Sequence, residues 1–156
     1  LKSQLGAKCE FTPKGLVVKP PRDEVLCSFE VDGRYSPDLV PTLAVLACFC
    51  QGTTRLNYLD VLRHKECDRL EAIQFLLQKL GVDYYLMNDE HLEIQGGSMK
   101  NEHLFRLYKA PRDHRMIMVA GVLFSLLHGG EIQNYQYVDK SFPDFFEFLS
   151  PGAQLS

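Results

Sequence analysis

A shift of 75 residues lays "QLGAK" (Gln4–Lys8) on "KLGVD" (Lys79–Asp83), so that Gly6 falls on Gly81; the same shift lays Asp38 on Asp113 and Lys65 on Lys140. Three matches at one offset, two of them charged residues at predicted helix starts, point to one supersecondary unit used more than once. This constrains the fold more than any other feature, because a repeated unit cannot bury its apolar face alone and must stack on its copies. The period is longer than that of the common solenoids, so each unit holds several elements.

The unit can be read from its pattern. "CSFEVDG" (Cys27–Gly33) alternates as a strand, and "SPDLVPTLAVLACFCQG" then supplies Ser36 as a cap, Pro37 at the first helical position and Gly52 as a stop. "TTRLNYL" (Thr53–Leu59) is a β-prone run, and from Glu66 the apolar positions Leu70, Ile73, Leu77 and Leu80 recur at helical spacing until Gly81. "VDYYLM" and "HLEIQ", separated by Asn88, Asp89 and Glu90, read as a hairpin. The unit is therefore β-α-β-α-β-β, which places the chain in the α/β (α+β) class.

Residues 27–100 hold one complete copy and residues 101–156 a final copy that stops before its hairpin. In the final copy "LFRLYKA" reads as a strand, Asp113–His128 as a helix, "EIQNYQYV" as a strand and Ser141–Leu149 as a helix. Residues 1–26 read as the tail of a truncated first copy, with Leu1–Gly6 the last turn of a helix and Ala7–Val18 the following hairpin. No linker or low-complexity segment divides the chain, so 1–156 is expected to be a single partial domain.

Hydrophobic residues make up 46% of the 156 and charged residues 24%, enough to build a core. A net charge of -3 gives no general attraction to nucleic acid or anionic membranes, so neither is expected as a partner and any anion must be held by local clusters. The cysteines, Cys9, Cys27, Cys48, Cys50 and Cys67, are odd in number and lack paired CxxC spacing, which favours free thiols in a reducing compartment over a zinc site. The longest nearly apolar runs, Val40–Cys50 and Met116–Leu127, are too short to span a bilayer, and no charged-then-apolar leader opens the chain. A cytoplasmic location is the expectation.

Charges gather at the predicted helix starts: Ser36-Pro37-Asp38, Lys65-Glu66-Cys67-Asp68-Arg69, Arg112-Asp113-His114-Arg115 and Lys140-Ser141. A helix N-terminus carries partial positive charge and unpaired N–H donors, so acids are welcome there and cations need a reason. An anionic ligand is a sufficient one, since amides, dipole and Lys or Arg together form a phosphate or carboxylate site. Taken singly, each segment also reads as an ordinary solvated helix start, with Asp38 and Asp113 as first-turn acids. On a helix, Glu66 would continue the stripe of Leu70, Ile73 and Leu77 and stand at the mouth of the core, while Lys65 and Arg69 would share an adjacent face. A carboxylate so placed beside cations suits proton transfer; a Glu66–Arg69 pair that merely orders the helix start is as good a reading.

"LRHKECDRL" (Leu62–Leu70), "DHRM" (Asp113–Met116) and "KSFPDFFEFL" (Lys140–Leu149), in this order and with "SPDLVPTLAVLA" upstream, closely resemble the C-terminal part of the 5-enolpyruvylshikimate-3-phosphate synthases. The resemblance covers essentially the whole chain. It implies a cytoplasmic shikimate-pathway enzyme that moves the enolpyruvyl group of phosphoenolpyruvate to the 5-hydroxyl of shikimate 3-phosphate and releases phosphate, with no metal or organic cofactor. It also implies two domains, each of three β-α-β-α-β-β units, with the active site between them; this chain would be most of one domain and would need the N-terminal domain as its partner.

Carried over residue by residue, the resemblance makes Asp38 the acceptor of the shikimate hydroxyl proton, with Lys65 beside that hydroxyl. Glu66 would move the proton on and off the methylene carbon of phosphoenolpyruvate. Arg69, Arg115 and Lys140 would bind its phosphate and carboxylate, Lys140 also protonating the departing phosphate, while His114 is given a structural role. Cys67 stands where Ser or Thr is usual, and Val61 where some members place an Asn that contacts shikimate 3-phosphate. The family's N-terminal lysine and arginines and its Ser-Ser-Gln segment have no counterpart, so the chain by itself is expected to be inactive or nearly so. The competing readings are a non-catalytic anion-binding module of the same fold, a UDP-N-acetylglucosamine enolpyruvyl transferase relative, and an RNA-end cyclase of similar fold.

Overall fold

In the computed structural model, which describes residue 5 and residues 8–19, 25–127 and 129–149, an antiparallel hairpin comes first: β1 (Lys8–Thr12) and β2 (Gly15–Lys19). Most of its side chains, Phe11 and Val18 among them, are exposed. The predicted helical turn over Leu1–Gly6 lies outside the described residues except for Leu5, which is buried.

Next come β3 (Glu30–Asp32), α1 (Val40–Cys48), β4 (Gly52–Asn57), α2 (Arg69–Leu80), β5 (Tyr84–Met87) and β6 (His91–Gly96), the order read from the pattern. The four strands form one sheet in the order β3-β4-β6-β5. β3 and β4 are parallel, as a crossover through α1 requires, and the β5–β6 hairpin adds antiparallel to β4. Asn88 and Asp89 both take positive φ in the hairpin turn, and Glu90 N–H donates to the Met87 carbonyl at 3.1 Å.

α1 is buried on nearly every side, which suits its uninterrupted apolar run, and it packs against α2, β4 and β6. The approach to β6 is close enough that a Cβ on Gly96 would overlap the Ala47 and Cys50 carbonyl oxygens. α2 is amphipathic instead: Leu70, Ile73, Leu76, Leu77 and Leu80 face the core while Glu71 and Gln78 face water. Gly81 ends it in the left-handed conformation, its N–H donating to the Gln78 carbonyl and that of Val82 to the Leu77 carbonyl.

The rest repeats the theme. β7 (Leu107–Lys109) and β8 (Glu131–Gln133) are parallel and flank α3 (His114–Leu126), which packs on α1; α4 (Phe145–Leu149) closes the described chain. The shift of 75 residues carries the 3-10 turn Asp60–His64 onto 135–139, inside a second 3-10 turn, Tyr135–Lys140.

Several boundaries differ from the sequence reading. The strand expected over 131–138 stops at Gln133, because Asn134 turns left-handed with its Nδ2 donating to the Ala110 carbonyl, and the chain then winds into the 3-10 turn. The helix expected from Ser141 starts at Phe145. The helix expected from Ser36 opens as a separate 3-10 turn, Pro37–Leu39, to which Ser36 contributes no side-chain cap. Of the strand expected over 27–33, the ladder holds only β3, preceded by a single bridge between Cys27 and Gln51.

Candidate active site

The helix expected from Glu66 starts at Arg69. Asp68 takes an extended backbone and caps α2, its Oδ1 accepting from the Glu71 N–H at 3.0 Å while Oδ2 pairs with Arg63 at 2.9 Å. Lys65 and Glu66 therefore lie in the loop ahead of α2, and neither the continuous stripe nor the shared Lys65–Arg69 face exists. What brings these side chains together is tertiary: the lead-in to α1 carries Asp38, the loop before α2 carries Lys65 and Glu66, α2 opens on Arg69, and α3 opens on the cap Asp113 with Arg115 in its first turn.

Arg69 is the centre of this cluster. Its side chain is 1% exposed, and its guanidinium donates through Nε to Asp113 Oδ2, through Nη1 to Asp38 Oδ1 and through Nη2 to Glu66 Oε2, each at 2.7 Å. Arg115 Nη2 reaches Asp38 Oδ2 at 3.0 Å, and Lys65 Nζ lies 4.0 Å from Asp38 Oδ1. Three cations thus face three carboxylates, and one carboxylate, Asp38, lies within 4.0 Å of every cation.

The charges are held ionised by one another. Burial works against the Arg69 cation, but its bonds to Asp113 and Asp38 outweigh that cost and raise its pKa further. Burial likewise pushes the Asp113 carboxyl up; the Arg69 guanidinium and the N–H groups of Arg115 and Met116 more than reverse it and leave it below the usual carboxylate range. Asp38 is lowered chiefly by its hydrogen bond from Arg69, with Arg115 and Lys65 adding charge attraction. Cys67, whose Sγ stands 3.6 Å from Asp113 Oδ2, has its thiol pushed up to about 12 by burial and by that carboxylate.

Of the expected residues, Asp38, Lys65, Glu66, Arg69 and Arg115 are brought together. Lys140 ends the 3-10 turn Tyr135–Lys140, exposed, and makes no ion pair with them among the described residues. The His114 ring leaves Nδ1 buried without a hydrogen-bond partner among the described residues. Asp113, which the sequence offers as an ordinary first-turn acid, turns out to be a fully buried member of the cluster. The sequence signal that could have found it is its match to Asp38 at the repeat offset.

Beside the cluster a groove of about 330 Å³ opens between α1 and α3, with Asp38 and Arg115 at one end and Val45, Phe49, Met118 and Val122 along its walls. Among the described residues no group of three or more His, Cys, Asp or Glu side chains is arranged to hold a metal ion, and no helix is long and apolar enough to cross a membrane.

Comparison with known proteins gives this arrangement a context. Residues 2–149 match the family model described as EPSP synthase (3-phosphoshikimate 1-carboxyvinyltransferase). The 3-phosphoshikimate 1-carboxyvinyltransferase of Archaeoglobus fulgidus is 40% identical over 154 residues, covering 97% of this chain and 35% of the relative. That of Halobacterium salinarum is 37% identical over 149 residues, covering 94% and 34%. The chain therefore spans about a third of the length of the curated relatives it matches. In structure it resembles EPSP synthase from Acinetobacter baumannii, with a TM-score of 0.69 at 22% identity over 99% of this chain and 38% of that one. It also resembles the enolpyruvyl transferase NikO from Streptomyces tendae, with a TM-score of 0.68 at 19% identity over 98% and 34%. These two likenesses speak for the fold.

Proposed function

The chain belongs to the EPSP synthase (3-phosphoshikimate 1-carboxyvinyltransferase) family, and from that premise we propose that it forms one wall of an active site transferring the enolpyruvyl group of phosphoenolpyruvate to the 5-hydroxyl of shikimate 3-phosphate. The other wall comes from an N-terminal domain, without which this chain does not turn over, and the assembled enzyme works in the cytoplasm. Within this wall, residues 27–100 act as one complete β-α-β-α-β-β unit, 101–156 as a final one and 1–26 as the tail of a preceding one.

The single observation that carries the reading is the Arg69 guanidinium, buried yet edged toward two half-exposed carboxylates with Arg115 alongside. Such a pair of arginines is suited to gripping a carboxylate or phosphate. In the addition step the shikimate oxygen bonds to C2 of phosphoenolpyruvate, Asp38 takes the hydroxyl proton, and Glu66 delivers a proton to the methylene carbon. In the elimination step Glu66 takes a proton back from that carbon, the bond from C2 to the phosphate oxygen breaks, and Lys140 protonates the departing phosphate. Lys65 faces shikimate 3-phosphate; Arg69 and Arg115 hold phosphoenolpyruvate through both steps, so the charge that develops is met by groups already in place.

The test is phosphate release from phosphoenolpyruvate and shikimate 3-phosphate after the chain is assembled with the N-terminal part. Turnover that needs both substrates and is lost in Glu66→Gln is expected. Assembly without turnover would leave a non-catalytic anion-binding module, and turnover that survives Glu66→Gln would remove the mechanism.

A further inference from the structure

The three carboxylates around Arg69 are not equivalent. Asp38 and Glu66 have side chains 47% and 34% exposed and meet the outer nitrogens, Nη1 and Nη2. Asp113 is 0% exposed and takes the inner edge, Nε at 2.7 Å and Nη2 at 3.4 Å. A guanidinium is planar, with five N–H donors in fixed directions, so fixing the Nε edge fixes where the others point. An entering anion can replace Asp38 or Glu66, which keep access to water; it cannot reach the Asp113 side.

The same carboxylate controls the second arginine by another route. Asp113 Oδ1 accepts from the Arg115 N–H at 2.8 Å and the Met116 N–H at 3.4 Å, which fixes the first turn of α3. Arg69 and Arg115 then meet on the two oxygens of Asp38, Nη1 on Oδ1 at 2.7 Å and Nη2 on Oδ2 at 3.0 Å. That carboxylate marks the place where a two-oxygen anion is gripped from both sides. Among the described residues, Arg69 and Asp113 are the charged side chains that are buried.

We propose that Asp113 is the positioning residue of the phosphoenolpyruvate site, aligning Arg69 through its side chain and Arg115 through the start of α3 so that both close on one anion. This rests on the reading of those two arginines as the anion-binding pair. Asp113 touches no substrate and moves no proton.

Two measurements on the chain assembled with its N-terminal part test it. Asp113→Asn is expected to raise the KM for phosphoenolpyruvate at least tenfold while leaving the KM for shikimate 3-phosphate within twofold. Equal rises for both substrates, or no rise, would overturn the positioning role. Should the variant fail to fold, inorganic phosphate titrated into wild-type protein carrying 15N-arginine gives the answer. The Nη signals of Arg69 and Arg115 are expected to shift while the Arg69 Nε–H stays in place on Asp113. An Nε–H that moves as far as the others would overturn the role while sparing the anion site; a titration that moves no arginine signal would sink the anion-binding reading and this inference with it.

Discussion

Arg69 Nε donates to Asp113 Oδ2 at 2.7 Å across 44 positions of sequence, joining the first residue of α2 to the cap of α3 by side chains that are 1% and 0% exposed. A pair so buried has given up its hydration, and each partner is tolerated only because the other is there. The contact ties the fold and the site together, since the bond that sets the two helix starts side by side also aims the guanidinium.

Removing one partner should therefore cost far more than a surface ion pair does. Arg69→Gln leaves the Asp113 carboxylate buried without its cation, and a loss of about 3–5 kcal/mol of unfolding free energy is expected. Glu66→Gln touches a part-exposed side chain and should cost less than about 1 kcal/mol. Denaturant unfolding of both variants checks the contrast; equal losses would contradict it.

Acid should attack the same pair. The folded pKa values of Asp113 and Asp38 are depressed, so their contribution is complete above the unfolded carboxylate range, about pH 4, and is lost as pH falls through the folded values. Stability measured from pH 7 to pH 3 should drop at the acid end, and Asp113→Asn should drop less steeply. A variant slope equal to wild type would show that the Asp113 pair is not what acid titrates.

Asp38 pairs with both Arg69 and Arg115, and on the proposed reading it stands where an anion enters. Asp38→Asn should therefore bind inorganic phosphate at least threefold more tightly by calorimetry, even as the proposed transfer by the chain assembled with its N-terminal part falls by about 10²–10⁴ through loss of the proposed proton acceptor. Weaker phosphate binding in the variant would mean that Asp38 does not compete for Arg69 and Arg115.

Cys67 should be inert despite its place in the cluster. With its thiol pushed up to about 12, almost none of it is thiolate at neutral pH, and the thiolate is the reactive form. Iodoacetamide at pH 7.5 followed by peptide mass spectrometry should label the exposed Cys27 well before Cys67. Early labelling of Cys67 would show that the packing around Asp113 opens readily.

The order of elements and the charged helix starts could be read from the residues, because apolar periodicity and helix-ending glycines are local signals that tertiary packing here reinforces; the roles given to Asp38, Lys65, Glu66, Arg69, Arg115 and Lys140 come from the family resemblance alone. What could not be read was set by single polar contacts, local at Asp68 and over long separations at Asn134 and Asp113. Nothing near Asn134 announces that its amide will bond to the Ala110 carbonyl and end β8. The helical stripe reads back to Glu66 in sequence, but Asp68 caps α2 instead, leaving Lys65 and Glu66 as loop residues that still converge on Asp38 and Arg69. In sequence Asp113 reads as any first-turn acid, since burial of a carboxylate depends on where its cation lies in space.

Transfer of an enolpyruvyl group, the role proposed for these charges, is tested by following that group itself. Carbon-13-labelled phosphoenolpyruvate and shikimate 3-phosphate, given to the chain assembled with its N-terminal part, should yield by NMR a labelled enol ether on the 5-oxygen and an equal amount of phosphate, both abolished by Arg69→Gln. Labelled pyruvate with phosphate and no ether, or ether formed at the wild-type rate by the variant, would contradict the account.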